Sequence, residues 1–110
     1  MRQTIEGSDI SNSIIGGNMR YRNLKQTITA TMTLTASMPS LMFIGSAAGN
    51  IVLLPPEADG QHIQIVNTGA GTLTVKDDSN TTTILALLTA TSATFICNGT
   101  TWYVLGISTA

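Results

Sequence analysis

The feature this sequence most lacks is charge. Charged residues make up only 10% of the 110-residue chain, whereas roughly a quarter is usual for soluble domains. The formal net charge is −1, which excludes nucleic-acid binding by bulk electrostatics. A weakly charged surface gives little protection against association, and such surfaces are common in proteins that function inside assemblies. We therefore expect protein partners and no nucleic acid.

The side chains that usually carry catalysis are also scarce. His62 is the only histidine and Cys97 the only cysteine, so neither a catalytic triad nor a zinc site is indicated, and no intrachain disulfide can form. Cys97 follows Phe95 and Ile96, a pattern typical of a buried apolar strand. The oxygen-rich stretch 77–80 predicts a hairpin turn, because its spacing does not match a calcium-binding loop. We expect no catalytic, cofactor-binding or metal-binding residues, no small-molecule substrate and no enzymatic activity.

Long apolar runs are absent as well. No stretch approaches the roughly 18–20 apolar residues of a membrane span, and the N-terminus lacks the apolar segment of a signal peptide. The sequence therefore predicts synthesis in a cytoplasm and no membrane partner.

A regular alternation of threonine with apolar residues is present over residues 27–36. Thr27, Thr29 and Thr31 alternate with Ile28 and Ala30, and the pattern continues to residue 36. Because successive side chains of a strand point to opposite faces, this alternation predicts one strand with a threonine face and a core face.

Further short strands follow at a spacing of about ten residues, which is typical of antiparallel sandwiches and barrels. Between them stand glycine, proline, asparagine and aspartate, which favour turns. We predict an all-β fold, an antiparallel β-sandwich or jelly-roll-like domain of about eight short strands, with no repeat long enough for a solenoid. Residues 84–88 also fit a helical turn, but the flanking threonines favour a strand. The seven further predicted strands span residues 41–44, 51–54, 62–67, 72–77, 83–88, 92–97 and 101–107.

The last predicted hairpin contains the most specific local signals. Asn98-Gly99 is a typical two-residue hairpin loop. Trp102 and Tyr103 are adjacent on the following strand and so face opposite ways. We expect Trp102 to fill the core and Tyr103 to be available for contacts.

The segment 1–26 has a different character from the rest of the chain. It is rich in glycine, asparagine and serine, shows neither strand nor helix periodicity, and carries four of the five basic residues. We predict an extended N-terminal arm over residues 1–26 and a β-sandwich domain over residues 27–110; the alternative for the arm is a disordered tail. The predicted partner-binding residues combine apolar and basic side chains: Ile5, Ile10, Ile14, Ile15, Arg20, Tyr21, Arg22 and Lys25.

A family resemblance rests on the strings between the predicted strands. Three successive strings resemble β-rich modules of tailed-bacteriophage virions. They are Leu54-Pro55-Pro56-x-Ala58-x-Gly60, then Asn67-x-Gly69-x-Gly71-Thr72-Leu73-Thr74-Val75, then Asn98-Gly99-Thr100-Thr101-Trp102-Tyr103. Similar strings occur in tail fibres and in small head-decoration or head-fibre proteins. The resemblance covers roughly residues 30 to 107, and it implies a structural protein without cofactor or active site, commonly a homotrimer.

Two functions follow from this resemblance. A short chain with one module after a basic arm is most similar to a capsid decoration (cement) protein, made in the host cytoplasm and bound to the major capsid protein on the outside of the head. The alternative is a tail-fibre or receptor-binding module that contacts a host surface glycan or protein through loop residues such as Asn80, Asn98 and Tyr103. A β-sandwich binding protein unrelated to phages is a third possibility.

Overall fold

A computed structural model describes residues 22–109 of the chain. These residues form nine β-strands joined by turns and irregular segments, and they contain no helix. The strands are β1 (Asn23–Thr27), β2 (Met32–Thr33), β3 (Leu41–Gly45), β4 (Asn50–Leu53), β5 (Asp59–Asn67), β6 (Leu73–Lys76), β7 (Thr83–Leu87), β8 (Thr91–Asn98) and β9 (Trp102–Thr109). The all-β prediction is confirmed.

The strands form two mixed sheets, which corrects the prediction of purely antiparallel pairing. Sheet A has the order β1-β3-β5-β8-β9 and sheet B the order β2-β4-β6-β7. The strands β1, β3 and β5 are parallel neighbours, as are β2, β4 and β6. Only the strands from β7 onward pair antiparallel with their neighbours. Residues that resembled hairpin loops, such as 46–49, instead carry the chain from one sheet to the other.

The first six strands therefore form a short coil of three turns, each with one strand in sheet A and one in sheet B. No repeat long enough for a solenoid was predicted from the sequence, and the coil arises without one. The register places Asn23 beside Leu41 and Leu41 beside Gln64, so the second turn of the coil is longer than the first. Because successive turns differ in length, no fixed period appears in the sequence.

The predicted continuous strand over residues 27–36 is also corrected. The chain leaves sheet A after Thr27 and joins sheet B at Met32 and Thr33. Ile28 and Leu34 are buried at the two ends of this crossing, while Ala30 and Ala36 are exposed. Within residues 27–36 only Thr27, Met32 and Thr33 lie in strands, and these strands belong to different sheets.

The other seven predicted strands are confirmed with shifts of a few residues at their ends. Residues 83–87 form a strand, as the flanking threonines indicated. The first strand begins at Asn23, so residues 23–26, which were assigned to the arm, pair with β3 in sheet A. Residues 1–21 lie outside the described residues.

Inward-facing side chains of both sheets form one core cluster. Sheet A contributes alternate residues such as Ile63, Ile65 and Phe95, while Val52 and Val75 come from sheet B. Alternate residues of β6 and of β8 from Ala93 onward lie in this cluster, as expected for strands with one buried face. Cys97 and Trp102 are buried in the core, as predicted.

Candidate interaction surfaces

The predicted partner-binding residues fall mostly before the first described strand. Ile5, Ile10, Ile14, Ile15, Arg20 and Tyr21 lie outside the described residues. Arg22 and Lys25 are described, and both are exposed. Arg22 directly precedes β1, and Lys25 lies within this edge strand of sheet A. The structure thus places the end of the basic segment at one edge of the larger sheet.

Lys25 lies beside a partly exposed aromatic ring. Its register partner in β3 is Phe43, so both side chains project from the outer face of sheet A. With Gln26, Thr27 and Thr68 they line a shallow cavity of about 290 Å³. A cation, an aromatic ring and hydroxyl groups on one face can contact a polar partner surface.

The opposite edge of sheet A has the contrary chemistry. Its edge strand β9 carries Tyr103, Leu105 and Ile107, which are 50%, 66% and 58% exposed. Leu88, 59% exposed, follows β7, which is in contact with β9. These four side chains, termed here the neutral edge, are the large apolar residues that the described part of the chain exposes most. Of these four residues only Tyr103 was expected from the sequence to be available for contacts, because alternation alone gives Leu105 and Ile107 no distinct signal.

The buried side-chain amide of Asn67 links the two sheets. Asn67 is 1% exposed, and its side-chain NH₂ donates to the carbonyl oxygens of Gly71 and Leu87, both at 2.9 Å. Its side-chain oxygen accepts a hydrogen bond from the backbone N–H of Gly69 at 3.0 Å. Donors and acceptor are all used, as burial of a polar group requires. This residue therefore has a structural role, joining sheet A to sheet B.

Successive corners of the coil stack closely beside Asn67. The backbone N–H of Gly71 donates to the carbonyl oxygen of Ser46 at 2.8 Å. A Cβ atom added to Gly69 would overlap the backbone of Ser46, and one added to Gly71 would overlap that of Ala48. The glycines of the Asn-x-Gly-x-Gly string are therefore explained by close backbone approach rather than by ligand binding.

The acidic turn after β6 is a closed hydrogen-bonded unit. The backbone N–H groups of Thr81 and Thr82 donate to Asp77 at 2.9 and 3.1 Å. These two bonds, with smaller contributions from the Ser79 and Thr81 hydroxyls, lower the pKa of Asp77 from 3.8 to about 2. Among the described residues no group of three or more His, Cys, Asp or Glu is placed to hold a metal ion. The hydrogen bonds account for the turn, which fits the hairpin prediction.

His62 and Cys97 are not brought together. His62 is exposed on β5 opposite Ile96, on the outer face of sheet A. Cys97 is buried, and its sulfur accepts a hydrogen bond from the backbone N–H of Gly99 at 3.4 Å. The two side chains thus lie on opposite faces of the sheet.

The loop residues nominated for glycan contact are also separated. Asn80 lies in the β6–β7 turn of sheet B, whereas Asn98 and Tyr103 belong to the β8–β9 hairpin of sheet A. The side-chain oxygen of Asn98 accepts hydrogen bonds from the backbone N–H groups of Thr100 and Thr101 at 3.0 and 2.9 Å. This oxygen is engaged in closing the hairpin loop.

Residues 22–109 include no helix of the length and apolarity needed to cross a membrane. Comparison of the chain with protein-family models, with curated proteins and with solved structures gives no significant match.

Proposed function

We propose that this chain is a non-enzymatic structural protein of a bacteriophage virion, a capsid decoration protein that acts as a homotrimer on the outside of the head. The two sheets are interpreted as a short β-sandwich, since one core cluster includes residues of both. The sequence resemblance suggests the phage virion, and the distribution of charge over sheet A suggests how the protein is used.

The observation that carries this proposal is the contrast between the two edges of sheet A. Arg22 and Lys25 are exposed at the β1 edge, directly after the segment 1–21 with its isoleucines. The β9 edge is apolar and lies at the far side of the same sheet. A protein anchored at its basic edge would keep the apolar edge free for contact with its own copies.

In this proposal the protein stabilises the shell by binding energy alone. Ile5, Ile10, Ile14 and Ile15 bury apolar surface against capsid subunits, while Arg20, Arg22 and Lys25 pair with carboxylates of the major capsid protein. Tyr21, which stands between Arg20 and Arg22 in the sequence, adds an aromatic contact. Because the decoration protein binds only the assembled shell, its binding free energy adds to the work of opening that shell.

Location in the virion is tested first. Immunogold electron microscopy of virions from the source culture, with antibody against this protein, is expected to label heads. Label on tails or fibres would contradict decoration and favour the alternative function.

Anchoring is tested with purified heads that lack the protein. A variant without residues 1–21 is expected to stay folded, because β1 and its pairing with β3 remain, and to lose binding to heads. The double variant Arg22→Glu, Lys25→Glu is expected to bind more weakly and with less dependence on salt. Lys76→Glu, on sheet B, is the matched control and should bind normally. Saturation of heads by the truncated protein would overturn the anchoring role.

A second function is favoured by the cavity beside Phe43. An aromatic ring with Lys25, Gln26, Thr27 and Thr68 around it offers the stacking surface and polar groups that a sugar ring uses. The corresponding proposal is a tail-fibre module that contacts a host surface glycan. Binding to host polysaccharide that is lost in Phe43→Ala would support this function, and absence of binding would reject it.

A further inference from the structure

The neutral edge is an unusual surface for an edge strand. Among the described residues β9 pairs with β8 alone, so no strand is hydrogen-bonded to the other side of its backbone. Edge strands in soluble proteins are commonly protected by lysine, proline or inward-pointing charge, since uncovered backbone groups invite pairing with another chain. Trp102–Thr109 contains none of these residues.

Ile107 is exposed although it lies on the core side of sheet A. Its cross-strand partner is Ala93, which is only 3% exposed, and cross-strand partners project from the same face. The inward-facing side chains of β9 thus extend beyond the region of sheet A that the other described residues cover. A second surface must be supplied if Ile107 is to be buried.

Leu105 is exposed for a different reason. The register of β9 against β8 shifts between Thr94 and Phe95, where Gly106 and Val104 are the partners. Leu105 lies between them as the extra residue of a β-bulge and has no cross-strand partner. The bulge therefore projects a leucine, 66% exposed, from the middle of the edge strand.

The absence of charge indicates what covers this edge. No Asp, Glu, Lys, Arg or His occurs between residues 79 and 110, a stretch that includes β7, β8 and β9. A charged partner surface would lose its hydration here without gaining an ion pair, whereas an uncharged apolar surface has no charge to desolvate. The same edge on another copy of this chain is uncharged and apolar, and it meets no electrostatic repulsion.

We propose that the neutral edge is the surface through which copies of this chain associate, with Leu88, Leu105 and Ile107 buried at the contact and Tyr103 at its margin. The inference rests on the homotrimer of the proposed function and gives that trimer its interface. Antiparallel pairing of β9 with its own copy would close after two copies. A head-to-tail contact of the three aliphatic side chains around a threefold axis closes after three copies, and this is the arrangement that the proposed trimer requires.

The experiment uses the purified full chain without capsids, so its result is independent of head binding. Sedimentation equilibrium is measured for the native protein and for Leu105→Lys and Ile107→Lys, which place a charge on the contact. Leu105→Thr is a neutral variant that suits a strand and tests loss of apolar area alone. Thr33→Lys, on the exposed β2 edge of sheet B, is the matched control. Far-ultraviolet circular dichroism and Trp102 fluorescence report whether each variant is folded.

We expect the native protein and Thr33→Lys to form the same closed oligomer. Each lysine variant should be folded and dissociate at concentrations at least about tenfold higher than the native protein, with a smaller change for Leu105→Thr. A native dimer would support the interface but refute the trimer. A native protein that stays monomeric, or variants that associate as the native protein does, would overturn the proposal.

Discussion

The indole N–H of Trp102 donates a hydrogen bond to the backbone carbonyl oxygen of Pro55 at 3.1 Å, a contact between distant parts of the chain. Trp102 begins β9 in sheet A, and Pro55 lies just after β4 of sheet B. Both residues are buried. The contact fixes the last hairpin against the segment that carries the chain from sheet B back to sheet A.

Trp102→Phe should destabilise the fold measurably. Phenylalanine cannot donate to the Pro55 carbonyl oxygen and fills less volume, so the variant leaves an unsatisfied buried acceptor and a small cavity. We expect a loss of about 2 kcal/mol or more in the free energy of unfolding, measured by urea denaturation followed by circular dichroism. Tyr103→Phe removes a polar atom from the exposed neighbouring residue and should change stability little. Equal effects of the two substitutions would contradict the role assigned to Trp102.

Replacement of asparagine by aspartate should destabilise the fold strongly at one position and hardly at another. At Asn67 a carboxylate would face the carbonyl oxygens of Gly71 and Leu87 in a buried site, and we expect a loss of about 3 kcal/mol or more. At Asn98 only the acceptor role is needed, so Asn98→Asp should stay within about 0.5 kcal/mol of the native protein. Thermal unfolding of both variants at neutral pH checks the difference. A stable Asn67→Asp protein would show that the amide does not join the two sheets.

Adding one methyl group to a corner glycine should separate the stacked corners of the coil. In Gly71→Ala the new Cβ would overlap the backbone of Ala48, which cannot move without its whole turn. We expect a loss of about 2 kcal/mol in chemical denaturation, within the range of overpacked sites. Gly106→Ala is the control, because nothing lies within 4 Å of its added Cβ. Comparable stability of the two variants would mean that the corners are not in tight contact.

Asp77 should make the fold sensitive to strong acid. Its pKa is lowered to about 2 from 3.8, so the folded state favours the carboxylate. The stabilisation is therefore fully present above pH 3.8 and is lost as the pH falls toward about 2. Unfolding measured across this range should show a smaller acid-induced loss of stability in Asp77→Asn than in the native protein. Identical pH profiles for native protein and Asp77→Asn would refute this assignment.

The sequence was sufficient to predict most strands of this protein but not their partners. Alternation in Leu73–Lys76 or Thr91–Asn98 is the same whether the neighbouring strand is parallel or antiparallel, because it reports only which face is buried. Segments of small residues such as 46–49 indicate a change of direction, but they do not show whether the chain reverses or crosses to another sheet. For this reason the antiparallel prediction was wrong for the pairs among β1 to β6, although it holds for the pairs that include β7, β8 or β9.

The candidate surfaces, too, could be predicted from the sequence only in part. The basic character of the segment 1–26 and the absence of charge after Asp78 are visible in the sequence. Only the fold shows that these two features lie at opposite edges of one sheet, because β1 and β9 join sheet A by pairing with other strands. The exposure of Ile107 could not be predicted, because its alternation is that of a core residue.

By itself the sequence determined the local conformation, the side of each strand that is apolar and the burial of Trp102. These follow from side-chain chemistry and backbone geometry over a few neighbouring residues. The tertiary structure alone decided the parallel coil, the stacked corners at Gly69 and Gly71 and the neutral edge. These features depend on contacts between residues far apart in the chain. Backbone hydrogen bonds can form between any two strands whatever their sequence, so the packing of the whole core selects which strands become neighbours.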